Sequence, residues 1–175
     1  PLRVLYVDTT QFFSTDDNSE LRITEPPLGF MALLTHLNHT FGDKVEGKIL
    51  KSCVDYDSFD ELIQFIENFQ PDIIGTRALS YYKNFFRDSI AVIRQHCPEV
   101  PIIAGGPHPT IAYEEVLSEN DIQAIVLGEG ELTNAEIIQH MLDNEFKFPT
   151  AEQLKKIKGL VFLEDRINRP RTLSS

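Results

Sequence analysis

Short continuous apolar runs alternate along the chain with longer stretches in which apolar residues recur every three or four positions. Arg3-Val-Leu-Tyr-Val-Asp8, Val45 to Leu50, Asp72-Ile-Ile-Gly-Thr76, Ile102 to Ala104 and Ala124-Ile-Val-Leu127 are runs of the first kind. They predict strands buried on both faces, as in a covered parallel sheet. Phe30, Leu34, Leu37 and Phe41 recur at helical spacing after Pro26-Pro27, and Gly42 ends that helix. Phe59, Leu62, Ile63, Ile66 and Phe69 form a second stripe. It opens with Ser58-Phe-Asp-Glu61, read as a capping box, and stops at Gln70-Pro71. Tyr81 to His96 predicts a third helix with Phe86, Ile90 and Ile93 inward, stopped by Cys97-Pro98. A short helix is predicted from Thr110 to about Glu119, and a last one from the Gly128-Glu-Gly-Glu131 turn through Met141 and Leu142.

Such alternation predicts an α/β three-layer sandwich, flavodoxin-like or Rossmann-like, with a five-stranded parallel sheet in the order 2-1-3-4-5. Thr9 to Glu25 has no period and only Phe12, Phe13 and Leu21 as anchors, which is long for a strand-to-helix connection. Such loops are functional or mobile. The tail predicts a β-hairpin, Gly159-Leu-Val-Phe-Leu163 and Ile167-Asn-Arg-Pro170 bracketing Glu164-Asp-Arg166. We therefore divide the chain into a domain over residues 1–145 and an extension over 146–175.

The 175 residues suit one domain with a real core. Sixteen basic against 27 acidic residues give a net charge of −11, which argues against nucleic acid or an anionic membrane as partner. No apolar run has the length of a membrane span and no signal pattern opens the chain, so a cytoplasmic location is expected. Cys53 and Cys97 are isolated and read as ordinary thiols. The absent initiator Met and the polar end Thr172-Leu-Ser-Ser175 suggest a piece of a longer protein, or processing.

The candidate chemistry lies where strands end. Pro101-Ile-Ile-Ala-Gly-Gly-Pro-His-Pro-Thr110 is a buried strand that stops at two glycines and two prolines. Gly105 and Gly106 remove side chains where ligands bind in open parallel sheets, so the pair reads as a space requirement. Valine at position 106 is expected to fill that space without unfolding the chain. A receiver domain would need a carboxylate after the third strand and a lysine after the fifth, but Gly75-Thr76-Arg77 and Gly128-Glu129 stand there. Asp8-Thr9-Thr10-Gln11 lacks the hydroxyl-rich loop of a flavodoxin, and G-x-G-x-x-G is absent.

Pro26-Pro-Leu-Gly-Phe30, Pro71-Asp-Ile-Ile-Gly75, Cys97-Pro98 before Ile102-Ile-Ala-Gly-Gly-Pro-His108, and Gly128-Glu-Gly-Glu131 together resemble the N-terminal cobalamin-binding domain of B12-dependent radical S-adenosylmethionine enzymes. The tail Ile157-Lys-Gly-Leu-Val161 resembles that family's lead into its radical domain. The resemblance implies a corrin on the carboxyl edge of the sheet, its nucleotide tail threaded among the strand ends. It implies a methyltransferase-like whole, with this domain not catalytic by itself. Cofactor contacts would then come from Thr9 and Thr10, from Thr76, Arg77, Ala78, Leu79 and Ser80, from Gly105, Gly106, Pro107 and His108, and from Gly128, Glu129, Gly130 and Glu131.

The D-x-H-x-x-G motif of cobalamin mutases is missing, since Thr9 and Thr10 follow Asp8, so base-off cobalamin without a protein histidine is implied. Arg77 stands where the wider fold often has a serine. The C-x-x-x-C-x-x-C motif is absent, which places the 4Fe-4S cluster and S-adenosylmethionine in a further domain. Blander readings stand beside these. His108 could only hydrogen-bond within its turn, Glu129 and Glu131 could only complement a helix dipole, and His36 and His39 read as a solvated helix face. The competing class is a cofactor-free flavodoxin-like interaction module.

Overall fold

The structure, a computed structural model, describes residues 1–16 and 24–168. Leu21, Arg169 and Pro170 lie outside the described residues. The elements run β1 (Leu2–Asp8), α1 (Leu28–Phe41), β2 (Val45–Lys51), α2 (Phe59–Phe69), β3 (Ile73–Arg77), α3 (Lys83–His96), β4 (Ile102–Gly105), α4 (Pro107–Ile111), α5 (Tyr113–Glu119), β5 (Ala124–Val126), α6 (Glu131–Asp143), α7 (Ala151–Lys155), β6 (Leu160–Val161) and α8 (Glu164–Asn168). They build a six-stranded sheet in the order β2-β1-β3-β4-β5-β6. The first five strands are parallel, as expected, and β6 adds to β5 antiparallel.

Strand alternation sorts the core into two layers. Leu5, Val7, Ile74, Ile102, Ala104 and Ile125 face the side covered by α2, α3 and α5. Leu2, Val4, Tyr6, Ile73, Ile103 and Ala124 face the side covered by α1 and α6. Leu154 and Ile157 join this second layer, so residues after 145 also contribute to the core.

Three local expectations are corrected. Ser58 accepts from Glu61 N, but the Glu61 carboxylate accepts from Asp57 N instead of closing a box on Ser58. The complete capping box belongs to Thr150 and Gln153, at a helix the periodicity did not reveal. The segment after Gly106 turns helical at Pro107, before Thr110, because a proline at the first helical position is preset in φ and needs no hydrogen-bonded N–H.

The tail differs too. Leu160–Val161 pairs with Val126 and Ile125, not with Ile167, and Glu164-Asp-Arg166 opens α8 instead of turning a hairpin. Lys155 holds the start of α8 through Glu164 at 2.6 Å, and Arg166 donates to the carbonyl of Asn120. These tertiary contacts override the turn composition. No helix among the described residues is long and apolar enough to cross a membrane.

Candidate functional site

The sheet changes winding direction between β1 and β3, since the chain leaves β1 for β2 on one side and later builds β4 and β5 on the other. Crevices for ligands open at the carboxyl ends of the strands at such a point. One opens here, on the α1 and α6 side: a cleft of about 380 Å³ over β3 and β4. That is small-ligand size. Phe30 and Leu33 form one wall, Val126 and Asn134 the other, and Tyr6, Gly75, Ile103 and Gly105 the floor.

Two rows across the sheet define the floor, because parallel register puts paired residues on one face. The deeper row is Ile49–Tyr6–Gly75–Ile103–Ala124. Glycine there is a steric requirement: a Cβ on Gly75 would lie 2.6 Å from Tyr6 Cδ1. The row at the carboxyl edge is Lys51–Asp8–Arg77–Gly105. A Cβ on Gly105 would meet only the Val126 carbonyl, at 3.6 Å, so the absence of a side chain there leaves open cleft.

Gly106 behaves differently from the expectation. Its φ is +92°, and a Cβ would lie 2.8 Å from Arg77 Cγ. Valine at 106 would therefore strain the backbone and press on Arg77, so the clean space test moves to Gly105. Gly128, at φ +65°, turns the chain from β5 toward α6, and a Cβ on Gly130 would strike Val126 Cγ1 at 2.8 Å.

The edge row is charged and buried. Asp8 is fully buried between Lys51 Nζ and Arg77 Nη1, each 3.8 Å from a different carboxylate oxygen. Asp8 Oδ1 also accepts from Thr10 N at 2.9 Å and from Thr10 Oγ1 at 2.6 Å, and Lys51 Nζ donates to that Thr10 hydroxyl at 2.9 Å. Asp8 Oδ2 is buried without a hydrogen bond among the described residues. Nearby, burial and the Asp8 charge push the Tyr56 hydroxyl far above its ordinary ionisation range. The row carries two cations and one anion, and Arg77, with 29 % of its side chain exposed, is the charged member that reaches the cleft.

Of the residues singled out from sequence, Thr76, Arg77, Gly105, Gly106, Pro107, Gly128, Glu129, Gly130 and Glu131 line the cleft together. Thr9, Thr10, Ala78, Leu79, Ser80 and His108 stand behind that lining. Thr9 Oγ1 donates to the Arg77 carbonyl at 2.8 Å, fixing the end of β3. Ala78 is buried and its carbonyl accepts from His108 N, while Leu79 caps the turn through Ser80–Tyr82. His108 is buried with Nδ1 3.2 Å from Ser80 Oγ. Even Thr76, whose backbone lines the cleft, spends its hydroxyl on the Ile103 carbonyl at 2.9 Å.

Sequence reasoning missed Tyr6 and Asn134, whose side chains meet across 128 positions. Its only signal was a polar Asn134 three residues into the last apolar stripe.

With this geometry in view, comparison with known proteins is decisive: the B12 binding domain family matches residues 18–138, more than half the chain. The chain belongs to the B12-binding domain family. It is 31% identical over 146 residues to an uncharacterized methyltransferase of Pyrococcus horikoshii, covering 81% of this chain and 29% of that protein. It is 29% identical over 116 residues to the anaerobic magnesium-protoporphyrin IX monomethyl ester cyclase of Cereibacter sphaeroides, covering 66% of this chain and 18% of the cyclase. This B12-binding chain thus spans less than a third of either relative. Its fold is that of the radical S-adenosylmethionine methyltransferase TsrM from Kitasatospora setae, solved with cobalamin and a [4Fe-4S] cluster bound. The TM-score is 0.70 at 19% identity, over 91% of this chain and 27% of TsrM.

Proposed function

We propose that this chain binds cobalamin through the cleft at the carboxyl edge of its sheet, as the cofactor-presenting part of a B12-dependent radical S-adenosylmethionine enzyme of the methyltransferase type. The observation that carries the reading is the cradle itself, a narrow cleft beside the switch point into which the edge of β4 brings bare glycine backbone at Gly105. A tail bearing a nucleotide needs such room: Gly105 leaves it open, while Gly75 and Gly130 admit the Tyr6 ring and the Val126 side chain that shape it. When bound, cobalamin supplies a cobalt centre able to carry a methyl group between a donor and an acceptor.

The chain's own residues bind and orient. Gly105, Gly106, Gly128 and Gly130 offer backbone to the tail, and Phe30, Leu33 and Val126 exclude water from it. Arg77 presents its guanidinium at the lip, held toward Asp8, where a phosphate or the underside of the corrin would lie. Glu129 and Glu131 accept from corrin amides. Thr9, Thr10, Ala78, Leu79, Ser80 and His108 shape the loops that carry Arg77 and Pro107. His108, paired with Ser80, does not ligate cobalt, and cobalamin binds base-off without a protein imidazole.

Exposed Leu28, Met31, Tyr81, Ile111 and Leu132 all follow strand ends and ring the same edge. An apolar rim of this kind suits a second domain that closes over the cofactor. We assign the 4Fe-4S cluster and S-adenosylmethionine to that domain, reached through residues 146–175, and place the protein in the cytoplasm without nucleic-acid or membrane partners.

Incubation with hydroxocobalamin, desalting and a visible spectrum test the reading. One equivalent of retained corrin is expected. A colourless, folded protein would instead favour a cofactor-free interaction module.

A further inference from the structure

The floor of the cleft is not uniformly apolar. The Tyr6 ring leaves β1 on the cleft side and extends over Gly75 of β3, which has room for it only because it is glycine. The ring stacks on Phe30 from α1, centroids 4.8 Å apart at 19°, and the hydroxyl accepts from Asn134 Nδ2 of α6 at 2.6 Å. Tyr6 and Asn134 are 1% and 2% exposed, yet both line the cleft.

This pair is only half satisfied. With the Asn134 amide donating one hydrogen to the phenol, the phenolic O–H, the second amide N–H and Asn134 Oδ1 remain for a further partner. Reversing the amide leaves the same balance, two donor hydrogens and an acceptor oxygen to spare, because the phenol then donates and both amide N–H groups are freed. Burial pushes the Tyr6 ionisation far above its ordinary value, against the opposing effect of the Asn134 bond, so the O–H keeps its proton. Both residues line the cleft, so a ligand entering it can meet this unused donor and acceptor capacity.

The geometry points to Tyr6 and Asn134 as the pair that reads the edge of the nucleotide base on the bound corrinoid. They select a base with a ring-nitrogen acceptor beside an exocyclic amine, of the adenine type, over the methylated edge of dimethylbenzimidazole. The inference rests on the corrinoid-binding reading above and specifies which corrinoid the cleft takes. A tail entering between Gly105 and Gly130 with its base foremost ends on this pair. An adenine edge gives the phenol an acceptor and the amide oxygen a donor. Two methyl groups give neither. Sites built to hydrogen-bond a ligand discriminate against an analogue lacking those groups far more strongly than apolar pockets reject an added methyl.

The test is a visible-spectrum titration of the purified chain with three probes: aquocobalamin, the adenine-bearing cobamide, and cobinamide, which has no nucleotide. The wild type is expected to bind the adenine-bearing cobamide about tenfold or more tightly than aquocobalamin. Tyr6→Phe keeps the stack on Phe30, and Asn134→Leu is close in shape. Each should bring the ratio to within about twofold, while cobinamide affinity stays unchanged. The double variant removes both partners together, so it checks the result should either single variant fold poorly. Equal affinities in the wild type, a preference for aquocobalamin, or a ratio that survives the double variant would overturn the inference while leaving corrinoid binding intact. Failure of all three probes to bind would overturn both.

Discussion

Asp8 Oδ2 lies 3.8 Å from Arg77 Nη1 across the carboxyl ends of β1 and β3, and Asp8 is fully buried while Arg77 is partly open to the cleft. The pair is completed by Lys51, itself nearly sealed, on the other oxygen. Taking the anion from between two cations leaves Lys51 as an uncompensated buried charge. Asp8→Asn is therefore expected to cost about 3–5 kcal/mol, the range for breaking a buried pair from one side. Arg77→Met should cost less, because its guanidinium is the more solvated partner. Urea midpoints at constant m-value measure both. An Asp8→Asn protein as stable as the wild type would show that the row is not an anchor.

In the proposed site Arg77 would also bear on the cofactor. A positive charge close to cobalt favours the reduced, less cationic states, so Arg77→Met should move the Co(II)/Co(I) midpoint to more negative potential. If a tail phosphate is the partner instead, the same variant should weaken binding by about 1.5–3 kcal/mol. Spectroelectrochemistry and spectral titration read the two effects separately. No change in either would make Arg77 a structural residue.

Gly105→Val separates space for the ligand from backbone strain. Its Cβ has room in the empty chain and points into the cleft, whereas Gly106 is held at φ +92° against Arg77. The valine protein should keep its circular dichroism and thermal midpoint and lose corrin retention. Retention at wild-type affinity would contradict the placement of the tail.

Much of this site was legible before any coordinates, and the reasons are physical. Buried parallel strands such as Ile102 to Ala104 announce themselves as apolar runs, and the Gly105-Gly106 break marks their carboxyl ends. Those ends fix where Arg77, Gly128 and Glu131 gather. What stayed hidden depends on partners distant in sequence. Tyr6 reads as one more residue of an apolar strand until Gly75 and Asn134 are seen around its ring. Glu164-Asp-Arg166 has turn composition, but Lys155 and the Asn120 carbonyl hold it as the start of a helix. His108 between two prolines reads equally as a cofactor contact or as a turn hydrogen bond, and the fold shows its ring paired with Ser80.

That pairing yields a further expectation. In the bound Co(II) form the paramagnetic spectrum should lack nitrogen hyperfine splitting from an axial ligand, and His108→Ala should leave it unchanged. Splitting that vanishes in His108→Ala would make His108 the ligand and would require its bond to Ser80 to break.

Anomalous diffraction at the cobalt edge, from crystals grown with hydroxocobalamin, locates the corrin. One cobalt peak per chain is expected outside the carboxyl ends of β1 and β3, over the Asp8–Arg77 row and at the mouth of the cleft floored by Gly75 and Gly105. A cobalt peak at the opposite edge, in the larger groove of about 740 Å³ between Pro71, Pro101 and Phe148, would contradict it, as would crystals of bound protein with no ordered cobalt at the predicted edge.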